Sequence, residues 1–308
     1  MKNTVHIFSF VLIAFLYSCN CEKQVVKTEY GRFVYSPPPG TVKVSENLYA
    51  DKTEIANIDY REYMYWNKDV FGEESDIYQN SLPDTLLWAY QDTALKIPMI
   101  TYYRHPIYNY YPVMGISYKQ ALDYISWRSD RVMEMLLVRN KIIQPHPQQD
   151  SNTCFTIEKY FAGRYMNYKA IKTLPVPHYR LPSPDEWEKL AGKENDTLAK
   201  SEMISENVKK TSKSDKFLYN TSEFFDFQKT KYPNSLTFTT QRMSFPANSN
   251  KLYDLIGNVA EMTTLEGIAK GGSWQHSLDE SDVSKNQLYT HAENWLGFRC
   301  VCSWEYFD

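Results

Sequence analysis

The chain is short of the residues that build most small reactive centres. Its five cysteines, Cys19, Cys21, Cys154, Cys300 and Cys302, form no CxxC pair and stand at no zinc spacing with histidine. Its six histidines include no HxxxH or HxxE arrangement. Neither structural zinc nor paired-histidine iron chemistry is expected from such a set. Basic excess is missing too: 34 lysines and arginines face 37 aspartates and glutamates, a formal net charge of −3. That balance offers no electrostatic footprint for nucleic acid. The apolar run Ile7–Tyr17 falls short of the ~20 residues that cross a bilayer. Glycine is scarce, at 11 of 308 residues, whereas tyrosine reaches 25. Tyrosine joins apolar area to a polar tip, which suits tightly packed irregular segments and, for a minority, partner surfaces.

The N-terminus is read as an export signal. Met1-Lys2 gives a basic start, the apolar run follows, and Leu16-Tyr17-Ser18-Cys19 closes it. A small residue before a cysteine, after an apolar core, resembles the lipobox of bacterial lipoproteins. The resemblance implies cleavage after residue 18 and a lipid on Cys19, holding the protein on a membrane of the cell envelope, the outer membrane being expected. Residues 19–37 are then a lipidated tether and 38–308 one domain, with insertions at about 72–112 and 193–217. Cys154, Cys300 and Cys302 remain, an odd number in a setting that permits disulfides; their pairing stays open.

Within the domain, Asn57 is expected to cap a helix opening in "ADKTEIANIDYREYMYW". The clearest helix lies in "ISYKQALDYISWRSDRVMEMLL" (116–137), with Ser117 and Gln120 forming a capping box and Ala121, Leu122, Ile125, Val132 and Leu136 near helical spacing. A shorter one starts at Ser183, with Pro184 at its first position and Asp185 and Glu186 at its positive end, and stops at Gly192. The segment 72–112 reads as irregular and rich in tyrosine, 193–217 as solvated charge. Past 218 the pattern is short strands and turns.

Five blocks occur in order: "YPVMGISYKQALDYISW", "YRLPSPDEWEKLA", "KLYDLIGNVAEM", "KGGSW" and "NWLGFRCV". Together they resemble the formylglycine-generating enzyme, or sulfatase-modifying factor, family. The resemblance implies an α+β fold related to C-type lectins, with few helices, short antiparallel strands and little regular structure. It also implies calcium. One site would use the Asp254 and Glu261 side chains with the Gly257 and Val259 carbonyls; a second would map on Asn220, Thr221, Asn234 and Leu236. Read from the residues alone, "YDLIGNVAE" offers two hard carboxylates around a turn-forming glycine, the content of a calcium loop. Ala260 stands where the family has tryptophan.

In that family the GGS motif leads to two cysteines that hold copper(I). The matching positions here are His276 and Ser281, and a linear dithiolate site cannot be made from a hydroxyl and an imidazole. Copper is therefore not expected, nor is the family's oxidase chemistry. Arg180 and Arg299, set among apolar residues, need carboxylate partners, for which Glu186 and Glu188 are available. The family's partner for the GFRC cysteine is replaced by Ile125.

The first functional reading is a lipid-anchored, non-catalytic envelope component that binds other envelope proteins. It resembles the gliding-motility and type IX secretion lipoproteins of Bacteroidetes in its signal, its "DKTEIANIDYREYMYW" and its "LPDTLLW" segment. The alternatives are a metal-dependent oxidase or modifying enzyme of exported proteins, and a calcium-dependent glycan-binding module.

Overall fold

A computed structural model describes residues 23–29, 31–87, 99–192, 219–231 and 238–307. The architecture is α+β, with seven helices and three small sheets. The hairpin β1 (Gln24–Thr28) and β2 (Gly31–Tyr35) stands first. The second sheet has the order β3–β4–β10–β5, from β3 (Thr41–Ser45), β4 (Leu48–Asp51), β10 (Val301–Tyr306) and β5 (Pro175–Arg180), all antiparallel. The third runs β8–β7–β6–β9: β8 (Gln287–Leu288), β7 (Ile268–Lys270), β6 (Ala260–Met262) and β9 (Leu296–Gly297), with β6 and β9 parallel. The last strand thus lies between strands from the N-terminal and middle thirds of the sequence.

The helices follow their local signals. α4 (Tyr118–Arg139) begins on the expected box: Ser117 Oγ accepts from the Gln120 N–H, and Gln120 Oε1 accepts from the Ser117 N–H at 2.7 Å. Ala121, Tyr124, Ile125, Val132, Met133, Leu136 and Leu137 form its buried stripe. Leu122, expected on that stripe, is exposed, because it falls one position past the inward-facing Ala121. α6 (Pro184–Ala191) has the Ser183–Glu186 box and ends on Gly192 at φ 89°, a left-handed position that only glycine takes without strain. α5 (Ile157–Phe161) is shorter, and α7 (Ser222–Lys231) is a helix of 10 residues in a region read from the sequence as short strands and turns.

Three expectations need correction. α1 (Asn57–Phe71) is capped from Ala56, not Asn57. Asn57 is the first helical residue and fully buried, its amide donating to the carbonyls of Tyr102 and Tyr108, while Asp59 Oδ2 accepts from the Ala56 N–H. The presumed tether at 19–37 is part of the fold from residue 24 onward: Phe33 is fully buried in the core, and Val34 exchanges hydrogen bonds with the Asn140 side chain. The segment 72–112 is not wholly irregular. It holds α2 (Asp76–Ser81), α3 (Met99–Arg104) and a 3₁₀ turn at Pro106–Tyr108. The insertion at 193–217 lies outside the described residues.

The main core is unusually rich in tyrosine. Tyr60, Tyr63 and Tyr124 contact one another at ring separations of 5.5–5.8 Å. Among the core tyrosines the hydroxyls of Tyr165, Tyr179 and Tyr289 are unpartnered, whereas Tyr60 donates to the Ser81 carbonyl and Tyr102 to that of Pro112. A buried phenol without a partner would cost ~1–3 kcal/mol, so these bonds fix where the irregular segments cross the core. A second core, around Trp187, Leu190, Leu252, Leu255 and Val283, seats α6 beneath the C-terminal loops.

Candidate functional site

Of the residues that the sequence singles out, Asp254, Gly257, Val259, Glu261, His276, Ser281 and Arg299 gather in the segment from 254 to 300. Gly271 and Gly272 open the 271–287 loop at φ 88° and 65°. A Cβ on Gly272 would overlap the Ser281 hydroxyl, and one on Gly271 would strike the Leu255 carbonyl. The two glycines therefore let the loop fold onto itself. Ser281 is fully buried and its hydroxyl donates to the Ser277 carbonyl at 2.8 Å. His276 lies edge-on to Trp295, with ring centroids 5.0 Å apart. Its Nδ1 sits 2.7 Å from Ser273 Oγ, and burial holds its pKa below the usual imidazole value. It is a half-buried imidazole held by a serine.

Copper(I) does not fit this set. Nδ1 of His276 is committed to Ser273, the Ser281 hydroxyl points inward, and neither atom is a soft thiolate. The thiols lie elsewhere. Cys154, Cys300 and Cys302 are all free and buried. Burial pushes the Cys300 and Cys302 thiols well above their usual range. Ile125 fills the remaining position with core volume.

Beside this loop lies an ionic centre that the sequence revealed only in part. Arg299 and Glu261 are both fully buried, with the Arg299 Nε 2.6 and 2.7 Å from the two carboxylate oxygens. Trp187 Nε1 also donates to Glu261, at 2.7 Å. The guanidinium spends its other donors on the Asp51 and Tyr253 carbonyls. Arg299 thus pairs with Glu261, and with neither of the two carboxylates, Glu186 and Glu188, that the sequence offered. Glu188, on α6, faces β7 and binds the buried Lys270 at 2.7 Å. Arg180 meets Glu186 through two bonds of 2.6 and 2.7 Å, while Glu186 also receives the Ser183 N–H. Arg128 grips Asp51 in the same forked manner, at 2.6 and 2.7 Å, and Asp51 takes the Cys300 N–H.

Two further carboxylates approach the Arg299 centre. Glu54, buried, accepts from Asn258 through Oε1, and its Oε2 has no partner. Asp254 accepts the Met243 N–H through Oδ2, and its Oδ1 is buried and unpartnered. Burial, reinforced by Asp254, drives the Glu54 carboxyl well above the usual range. Burial pushes Asp254 up to about 6, against the opposing pull of the Met243 N–H and Arg299. Three carboxylates share one guanidinium.

The geometry bears on calcium unevenly. Asp254, Gly257 and Asn258 all have positive φ, of 55°, 76° and 61°, so the loop is wound tightly around its own carbonyls. The free Asp254 Oδ1 suits a hard cation. Glu261 suits it less, since both its oxygens already serve Arg299 and Trp187. Asn220 bridges to Gly257 in parallel register, donates to the Phe238 carbonyl, and keeps a buried, unpartnered Oδ1. Thr221 bonds Glu223; Asn234 and Leu236 lie outside the described residues, as does Cys19. Sequence reasoning missed Glu54, Asp51, Arg128 and Lys270. The available signal was "ADKTEIAN", whose acids sit directly beside apolar residues at a strand end.

The family model for the sulfatase-modifying factor enzyme 1-like domain matches residues 18–304. No curated protein matches. Among solved structures, "Crystal Structure of CarF" is 17% identical, with 85% of this chain and 87% of that one covered and a TM-score of 0.40. PvdO from Pseudomonas aeruginosa is 15% identical over 63% of each chain, with a TM-score of 0.37. Treponema denticola variable protein 1 is 15% identical, covering 92% of this chain and 99% of its own, with a TM-score of 0.40. On the match along nearly its whole length, the chain belongs to the family of sulfatase-modifying factor enzyme 1-like domains.

Proposed function

We propose that this protein is a lipid-anchored envelope component whose family domain binds another protein and performs no formylglycine chemistry. The observation that carries the reading is the state of the 271–287 loop: His276 Nδ1 is tied to Ser273, and Ser281 is sealed inside. The fold is kept while the atoms that would carry the family's redox step are replaced. A fold alone does not carry an activity.

The anchor in this reading is Cys19, and the finer context is a gliding or type IX secretion assembly of Bacteroidetes-like bacteria. The support is the N-terminal signal and the "LPDTLLW" segment. Calcium belongs to the reading as a structural ion, with Asp254 Oδ1 and the Gly257 and Val259 carbonyls as its donors. Its chemistry there would be charge compensation for the buried carboxylates. Family membership favours one competing reading, a modifying enzyme with other metal ligands.

The test incubates the purified chain with copper(I) and a peptide carrying the sulfatase CxPxR motif, and follows peptide mass beside an active family enzyme. Unchanged peptide supports the binding role. Conversion of its cysteine to an aldehyde, abolished by His276→Ala, overturns it.

A further inference from the structure

A cleft of about 810 Å³ runs between α1, α2 and α4, on elements that do not supply the 271–287 loop. Two of its lining groups are N–H donors left without acceptors. Asn67 is only 2% exposed, and its Nδ2 makes no hydrogen bond of good geometry, the Tyr63 hydroxyl being its near neighbour; the indole Nε1 of Trp127 is buried and unpartnered. Buried donors in this condition call for an acceptor, which solvent or a ligand can supply.

The rest of the lining indicates what that partner carries. Asp76, Asp84, Asp123 and Asp130 face the cleft, and among the described residues that line it Lys119 is the one cation, already bonded to Asp123 at 2.5 Å. Asp130 spends one oxygen on the Ile157 N–H, and burial pushes its carboxyl up to about 6, so a cation beside it would relieve an unfavourable charge. Trp66 and Trp127 add aromatic wall, and Trp66 already carries the Arg131 guanidinium 4.5 Å from its ring centre. Such walls attract cationic side chains. A neutral saccharide would satisfy the two donors and the rings but add no cation beside the buried Asp130. An acidic ligand would oppose them.

We infer that this cleft binds an extended basic peptide segment of a partner protein, whose carbonyl oxygens accept from Asn67 and Trp127 and whose lysine or arginine pairs with Asp130. The inference rests on the protein-binding reading above and gives it a location: α2, one wall of the cleft, belongs to the tyrosine-rich segment 72–112.

The ¹⁵N-labelled chain is titrated with acetyl-Ala-Lys-Ala-Lys-Ala-Lys-amide, with its glutamate counterpart and with chitohexaose, following the Trp127 indole N–H. The lysine peptide should shift that resonance to saturation with a dissociation constant of roughly 1 mM, and the glutamate peptide should not. Asp130→Asn keeps the Ile157 bond and should weaken binding about tenfold; Asn67→Leu should do the same, with melting curves confirming that both fold. An unmoved Trp127 resonance, a shift with chitohexaose alone, or lysine-peptide affinity indifferent to Asp130→Asn each overturns the assignment. Partners crosslinked to the chain in cells are read separately, so loss of the cleft and loss of the protein-binding reading are told apart.

Discussion

Replacing Arg299 by methionine should be the most damaging single change at the ionic centre, and the reason is an imbalance of charge. The guanidinium serves Glu261 directly, donates to the Asp51 and Tyr253 carbonyls, and lies within the field of Glu54 and Asp254. Without it three buried carboxylates have no cation and two carbonyls lose a donor. Breaking a buried pair costs about 3–5 kcal/mol, and the upper half of that range is expected here. Glu261→Gln is gentler. The remaining amide oxygen still accepts from Trp187, and above about pH 6 Arg299 keeps Asp254 as counter-charge, so about 2–3 kcal/mol is expected. For a domain of this size the difference is several degrees of melting temperature, at roughly 2–4 °C per kcal/mol. Urea unfolding of the purified chain and both variants, in chelator, measures it. Equal losses, or a greater loss in Glu261→Gln, would refute the reasoning, because Asp254 would then not be acting as an anion around Arg299. Repeating the measurement in calcium adds a second reading: an ion at Asp254 supplies the missing positive charge and should recover part of the Arg299→Met loss.

Calcium should raise the melting temperature of the wild type, since a ligand of the folded state alone stabilises it; identical melting in calcium and chelator, or an unchanged calcium response in Asp254→Ala, removes Asp254 as a ligand. In chelator, stability should fall as pH rises from about 4 to about 6. Asp254 and Asp130 have folded pKa values of about 6, above the ~3.9 of an unfolded aspartate, so the folded state holds the extra protons in that window, with a slope of up to ~1.4 kcal/mol per pH unit per group; Asp254→Asn should flatten it, and a stability that rises through the window contradicts both shifts. Cys154, Cys300 and Cys302, free and buried, should resist a thiol reagent in the native state and react together on unfolding. Cys19→Ala should release the protein from the membrane fraction, and an unmodified, fully soluble wild type would remove the anchor.

The sequence by itself determined the elements whose signals are local. Ser117 with Gln120 and Ser183 with Glu186 are three residues apart, so their caps need no distant partner. Ordered blocks identified the family for the same reason, since each is a contiguous string. The departure at the 271–287 loop was legible too: a cysteine that is absent from the sequence cannot be restored by folding. Only the tertiary structure decided the pairings. Glu261 and Glu188 are equally good carboxylates on paper, and Arg299 takes the first because β6 and β9 lie side by side in parallel while α6 turns Glu188 toward Lys270. Glu54 joins that centre from more than two hundred residues away, through Asn258. The donors of Asn67 and Trp127 stand on different helices, and no sequence spacing announces that both lack acceptors. Burial and partnership are properties of the space between elements, and the packing of β10 between β4 and β5 closes that space only when both ends of the chain meet.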